Sequence, residues 1–287
     1  MTIIVCCNLP DGIIIGADSA VTVSGEVEDQ SGKRHAGVLK VYERARKIFQ
    51  LGELPVGVAA FGVSAMGQRT VASYLEEFEL DKLQEVAPEG KVGENLEPLC
   101  KTMWEFLERK YRQEFKENLE RRKGRPYDDI PADERPPLAV VVAGYGYRRP
   151  LGEVWLVKVP FPGDAEPVVP VRRPGDFGAN WFGVSGPVTR FILGFDPSLP
   201  ARLRKILQER VTDKYAEVWP EIERELRSLE FAIPYPAMPL EDGIEHVRYL
   251  TGLAISFARF AVGAPICGGE IRLATITARQ GFSWVTQ

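Results

Sequence analysis

The chain has 287 residues and a formal net charge of −4, with acidic and basic residues interspersed. Hydrophobic residues make up 45% and charged residues 26% of it, which is the balance of a folded globular protein rather than a disordered chain. No basic stripe indicates nucleic-acid binding, and no apolar run reaches the ~18 residues of a membrane helix. We therefore predict no nucleic-acid partner and no membrane span.

The N-terminus lacks the basic start of a signal peptide, and Asn8, Pro10 and Asp11 interrupt its apolar stretch. We therefore expect a cytoplasmic location. The four cysteines include no CxxC pair and the chain has two histidines, so a histidine-based metal site or a Ser-His-Asp triad is disfavoured. We expect reduced thiols, no metal and no cofactor.

The first third of the chain predicts short strands. Residues 3–9 and 12–17 are β-rich runs separated by a Pro-Asp-Gly turn signal. Residues 22–45 are polar and contain glycines, which predicts an extended loop or an irregular ribbon. Residues 46–51 and 56–61 predict two further strands, and such apolar strands fit a sheet that is covered on both faces.

Helical periodicity follows. Residues 65–78 have apolar residues spaced at four and three, which predicts a helix. A longer helix is predicted for residues 96–122, where a partial apolar stripe runs beside charged faces. Residues 123–137 are a polar, proline-rich loop.

Strands are predicted again in the second half of the chain. Residues 138–144, 153–159 and 179–184 are apolar runs, and the five prolines within 160–176 indicate an irregular connection.

The last part of the chain mixes helices and strands. We predict a helix that begins near Pro187, a charged helical stretch over 200–231 and an amphipathic helix over 242–260. Two strands, 270–278 and 282–285, end the chain. Because strands and helices come in separate runs, the pattern favours an α+β fold over alternating βαβ units.

Thr2 carries the chemistry that the sequence suggests first. If Met1 is removed, the hydroxyl of Thr2 is a nucleophile and its own α-amine is a base. An α-amino group has a pKa of ~7.7–8.0, so it accepts a proton near neutral pH. No propeptide precedes Thr2, so Met1 removal alone is expected to activate it.

The chain contains five motifs whose order matches that of a known family. They are TIIV…DGIIIGADS at the start, RKIFQL at 46–51, GVAAFG at 57–62, GVSG at 183–186 and CGGEIRLATI at 267–276. Together with the order of elements, they resemble the proteasome β-subunit family of N-terminal-nucleophile (Ntn) hydrolases, in its bacterial proteasome-type branch. The resemblance implies a four-layer αββα sandwich. It implies one domain over 1–287, with insertions near 23–45, 80–136 and 196–240.

The resemblance also implies a catalytic site. Thr2 takes the position of the nucleophile, and Asp18 takes the position of the buried acid. Lys47 supplies a positive charge that stabilises the negative charge on the attacking oxygen. Ser185 supports the α-amine, and the backbone N–H of Phe61 is the expected oxyanion donor.

The expected substrate contacts follow from spacing within the same motifs. The residues predicted to line the primary pocket, or the strand that pairs with a peptide, are Val21, Thr22, Phe49, Ala59 and Val63. Such a pocket is expected to be apolar and fairly small, and to prefer medium apolar side chains.

One position departs from the family pattern. The family normally carries an acid three positions before the residue that is Cys267 here, and this chain has Ala264 instead.

Our first interpretation is a threonine-type peptidase that acts on peptides or unfolded proteins and forms a homo-oligomeric ring. The sequence leaves open whether an ATPase is a partner. One alternative is a catalytically silent proteasome-fold protein with a structural or binding role, and the other is an Ntn amidohydrolase that acts on a small amide.

Overall fold

The computed structural model describes residues 2–28, 34–160, 166–211, 215–262 and 265–286. Strands and helices form separate runs along the chain and all strand pairs are antiparallel, so the α+β class is confirmed. The strands are β1 (Ile3–Leu9), β2 (Gly12–Ala17), β3 (Val21–Glu28), β4 (Arg34–Tyr42), β5 (Ile48–Gln50), β6 (Val56–Gly62), β7 (Ala65–Met66), β8 (Arg69–Thr70), β9 (Leu138–Gly144), β10 (Glu153–Val159), β11 (Val168–Arg172), β12 (Gly178–Gly183), β13 (Arg272–Thr277) and β14 (Gly281–Trp284). The helices are α1 (Val71–Val86), α2 (Glu97–Lys123), α3 (Gly186–Leu193), α4 (Leu199–Val211), α5 (Tyr215–Ser228) and α6 (Leu240–Phe260).

Two five-stranded sheets organise the molecule. The first has the order β12-β1-β2-β13-β14 and the second has the order β11-β10-β9-β6-β5. The pairs β3–β4 and β7–β8 are separate two-stranded hairpins outside these sheets. β1 is therefore a central strand, and it places the start of the chain next to the end of β12, where Ile3 lies opposite Gly183.

β1 is buried along its whole length because both of its faces are covered. Side chains alternate between the two faces of a strand. Ile3 and Val5 belong to a cluster with Val247 and Leu250 of α6. Ile4, by contrast, belongs to the cluster between the two sheets. Because both faces of β1 are buried, its sequence is an almost continuous apolar run and does not alternate between apolar and polar residues.

Three apolar clusters hold these elements together. Helices α1 and α2 cover one face of the second sheet, and the rings of Phe78 and Phe106 meet there edge to face with centroids 5.6 Å apart. Helices α3 and α6 cover the first sheet. The third cluster joins residues of both sheets, including Ile15 of β2 and Val141 of β9. Among the helices that the structure describes, none has the length and apolar character needed to cross a membrane.

The predicted helix over 65–78 is wrong in its first turn and a half. A short hairpin, β7–β8, precedes the helix, which starts at Val71. Two features set this boundary. Gly67 lies at the turn with a φ of +57°, and the side chain of Thr70 accepts a hydrogen bond from the N–H of Ser73, as an N-cap residue does.

Residues 22–45, predicted as an extended loop or an irregular ribbon, contain the paired strands β3 and β4 with a shift of register after Val23, so the ribbon is the alternative found. One further segment differs from the prediction. Residues 160–176, predicted as irregular, contain β11, which pairs with β10 as an edge strand. Pro170 is tolerated in β11 because an edge strand leaves some N–H groups unpaired.

The buried face of α1 offers a test of how this helix packs against α2. Replacing buried Phe78 by alanine removes its contact with Phe106 and should cost about 3–5 kcal/mol of the free energy of unfolding. Leu80→Ala is the matched control on the same helix, because Leu80 is 82% exposed and should change stability by no more than about 0.5 kcal/mol. Urea unfolding measures both, and equal losses would contradict the packing described.

Candidate active site

Thr2 is held by its backbone at the end of β1. Its carbonyl oxygen accepts a hydrogen bond of 2.8 Å from the N–H of Val184. Gly183, with a φ of +80°, comes so close that a Cβ there would lie 1.9 Å from the same oxygen. A glycine is therefore required at this point, and the close approach positions the Thr2 side chain, which is 7% exposed.

Asp18 follows β2 and is clamped by four donors. Its Oδ1 accepts hydrogen bonds from Lys47 Nζ at 2.7 Å and from the N–H of Ile3 at 3.0 Å. Its Oδ2 accepts from the N–H groups of Gly268 at 3.0 Å and Ala20 at 3.3 Å. Such a set of donors fixes the orientation of the carboxylate.

Lys47 forms a buried ion pair with Asp18. The exposed fraction of the side chain is 7% for Lys47 and 0% for Asp18. Burial lowers the pKa of the Lys47 ammonium below its ordinary value, while the charge of Asp18 and its hydrogen bond act in the opposite direction. The site therefore holds an ammonium group whose charge depends on a single carboxylate.

Cys267 lies close enough to this pair to be affected by it. Its thiol is buried, with Sγ 3.5 Å from the carbonyl oxygen of Ala254. Burial and the nearby Asp18 carboxylate raise the pKa of the thiol to about 12, although Lys47 acts against this. A thiol of this kind stays protonated, so it does not compete as the nucleophile.

Ser185 stands at the start of α3, two residues after Gly183. Its N–H donates to the carbonyl oxygen of Gly183 at 2.8 Å, and its own carbonyl oxygen accepts from the N–H of Thr189 at 2.9 Å. Because β12 pairs with β1 up to Ile3, Ser185 lies at the same end of the sheet as Thr2.

The N–H of Phe61, the predicted oxyanion donor, is directed to the β9 edge of β6. The N–H of Ala60 donates to the carbonyl oxygen of Lys47, on the β5 side of β6. Because alternate residues of a strand direct their N–H groups to opposite edges, the N–H of Phe61 is directed toward β9, where Phe61 lies opposite Ala139. The N–H of Gly62 is directed to the same edge as that of Ala60, beyond the end of β5.

A pocket of about 840 Å³ opens beside Thr2. Lys47 and Gly62 line it, as do three of the predicted substrate-binding residues, Val21, Phe49 and Val63. Its volume lies in the upper part of the ~300–1,000 Å³ range of ligand pockets. This is the volume of the whole half-open cleft, and the expectation of a fairly small primary pocket within it stays a prediction.

The other two predicted substrate contacts lie elsewhere. Ala59 is fully buried in the cluster between the two sheets, and the next residue, Ala60, lines the pocket instead. Thr22 lies opposite Val41 in the β3–β4 hairpin and is not among the residues that line the pocket. The error at Ala59 is one residue of strand register, since neighbouring side chains face opposite ways.

Sequence reasoning missed two groups of lining residues. The β3–β4 hairpin contributes Val23, Val41 and Tyr42, and the start of α1 contributes Val71 and Ala72. Strand alternation from Val21 could have suggested Val23. No signal in the sequence brings α1 to the pocket, because that contact depends on how the sheets and helices pack.

Two predicted features cannot be placed. Ala264, which stands where the family pattern has an acid, and Met1 both lie outside the described residues. Within the described ranges, no group of three or more His, Cys, Asp or Glu side chains is arranged to hold a metal ion. Comparison of the sequence with models of known protein families and with curated proteins gave no match.

The lowered pKa of Lys47 predicts how stability depends on pH. Between that pKa and ~10.4 the unfolded chain binds a proton at Lys47 that the folded protein does not, so this contribution to stability rises with pH. The stability of the wild type relative to Lys47→Met should therefore increase with pH across that window and be constant below the lowered pKa, where both states bind the proton.

Urea unfolding of both proteins at a series of alkaline pH values measures this difference. Lys101→Met is the matched control, because Lys101 is exposed and its hydrogen bond to Glu97 raises its pKa instead. A wild-type advantage over Lys47→Met that stays flat or declines as pH rises would contradict the prediction.

Proposed function

We propose that the protein is a threonine-type Ntn amide hydrolase, in particular a peptidase, with Thr2 as its nucleophile after Met1 is removed. One observation carries the proposal: Thr2 shares a pocket with Lys47, whose ammonium is buried and paired with a carboxylate that backbone N–H groups clamp. A hydroxyl beside a fixed positive charge is the arrangement that an activated nucleophile needs.

The chemistry uses only groups of this chain. Oγ of Thr2 attacks the amide carbonyl carbon as its proton passes to the α-amine, and the Lys47 ammonium stabilises the negative charge. The N–H of Gly62 donates to the carbonyl oxygen as it becomes an oxyanion, and Ser185 holds the α-amine. The protonated amine then gives its proton to the leaving nitrogen, and water hydrolyses the ester on Thr2.

The packing supports the four-layer αββα sandwich that the family resemblance implies. The two five-stranded sheets share an apolar cluster, and their other faces carry α1 with α2 and α3 with α6. In the same proposal the substrate is a peptide or unfolded protein and the chain assembles into a homo-oligomeric ring in the cytoplasm, as the resemblance implies.

Removal of the nucleophile tests the proposal directly. Thr2→Ala should lower amide hydrolysis to the background rate, because no other group described in the pocket offers an activated hydroxyl or thiol. Release of a fluorophore from peptide amides measures the rate. Thr102→Ala is the control, since Thr102 is half-buried on α2, donates its hydroxyl to the carbonyl oxygen of Pro98 in the same helix and does not line the pocket. Unchanged hydrolysis in Thr2→Ala would contradict the assignment.

The mechanism also requires a free α-amine on Thr2. The purified protein should therefore have a mass lower by one methionine residue, and an electrophile directed at N-terminal threonine should add to it once. Intact-mass spectrometry reads both results. A retained Met1 would instead favour the catalytically silent protein, because the blocked amine could not accept a proton.

A further inference from the structure

We infer that the β3–β4 hairpin makes the pocket beside Thr2 selective for a bulky, uncharged apolar group, such as the side chain of phenylalanine or leucine. In a peptide this side chain belongs to the residue whose carbonyl Thr2 attacks. The inference rests on the proposed function for its chemistry, but binding tests it separately.

The hairpin forms one wall of the pocket from outside both main sheets. Val21 and Val23 come from β3, and Val41 and Tyr42 come from β4. Val21 lies opposite Tyr42 in the pairing, and Val23 is two residues further along β3, so these three share a face of the ribbon. Lys40 lies opposite Val23 on the same face, but it does not line the pocket. The part of the face within the pocket is apolar apart from the Tyr42 hydroxyl, and Val23 is 39% exposed.

The opposite wall is apolar as well. Phe49 on β5 is 6% exposed, and Val63 follows the end of β6. Val71 and Ala72 at the start of α1 complete this wall. The half-open pocket between these walls has a volume of about 840 Å³, so it has room for a bulky side chain.

The charged groups around the pocket are engaged or peripheral. Lys47 is paired with Asp18 inside the site. Arg46 is paired with Glu76 at 2.5 Å, and its guanidinium lies 4.6 Å from the centre of the Phe49 ring. Of the other charged residues that line the described pocket, Glu43 and Arg44 are exposed.

A charged substrate side chain would therefore lose water without gaining a buried counter-ion. A large apolar side chain, by contrast, gains free energy in proportion to the apolar area that it buries. Differences of one or a few methylenes in such a pocket change specificity by roughly 10–200-fold. We expect phenylalanine or leucine at the selected position to be favoured at least ~10-fold over alanine, glutamate or lysine.

The experiment measures binding in the Thr2→Ala background, where the pocket remains and turnover is absent. The probes are N-acetylated tripeptide amides that differ only in a C-terminal phenylalanine, leucine, alanine, glutamate or lysine, and calorimetry gives their Kd values. The phenylalanine and leucine probes should bind at least ~10-fold more tightly than the other three. Equal affinities, or tighter binding of a charged probe, would overturn the inference.

A matched pair of hairpin variants locates the selectivity. Val23→Phe narrows the pocket at the hairpin wall and should reduce the preference for phenylalanine over alanine. Val38→Phe adds the same bulk to the same hairpin at a valine of equal exposure, 40%, that does not line the pocket, so the preference should persist. Loss of preference in both variants, or in neither, would overturn the role of the hairpin.

These results separate the two proposals. An apolar preference in Thr2→Ala together with a wild type that hydrolyses no amide would support the selective pocket and reject the hydrolase. Hydrolysis of all five side-chain types at similar kcat/KM, with equal Kd values, would support the hydrolase and reject the selectivity.

Discussion

The buried ion pair between Lys47 and Asp18 is the interaction on which the site depends. Two buried charges cost several kcal/mol to remove from water, and only good geometry with further hydrogen bonds offsets that cost. Asp18 meets this condition through the N–H groups of Ile3, Ala20 and Gly268, which come from three separate parts of the chain. The carboxylate is thus a junction between β1, the segment after β2 and the segment before β13.

The same junction fixes the base of the hairpin. Ser19, next to Asp18, donates its hydroxyl to the carbonyl oxygen of Glu43, and its own carbonyl oxygen accepts from the N–H of Ala45. Gly269, with a φ of +75°, approaches so closely that a Cβ would lie 2.6 Å from the Glu43 oxygen. The segment that leads from β4 to Lys47 is therefore fixed to the loop that carries Asp18. The same contacts position the Lys47 ammonium and the pocket wall that the β3–β4 hairpin forms.

Much of this arrangement was predictable from the sequence, and the reasons differ by element. The bounds of β1, β2, β9 and β10 were predicted to the residue, because long apolar runs buried on both faces end at clear turn signals. The strands β7 and β8 were missed because two residues carry no periodic pattern. Asp18 and Lys47 were predicted from motif resemblance, and the structure brings them to 2.7 Å.

The remaining errors concern direction rather than position. Ala59 stands one residue from Ala60, which lines the pocket, and the N–H of Phe61 is directed toward β9. Strand side chains and N–H groups alternate, and a motif match does not set their phase. The hairpin wall and the start of α1 reach the pocket through tertiary packing, for which a single sequence has no local signal.

The position of the β3–β4 hairpin has an evolutionary consequence. Its strands belong to neither large sheet, and Val21, Val23, Val38 and Val41 are absent from the three apolar clusters described above. Substitutions at these four positions should cost less folding free energy than substitutions within the clusters. The proposed recognition surface can therefore change while the ion pair and the close approach of Gly183 to Thr2 stay the same.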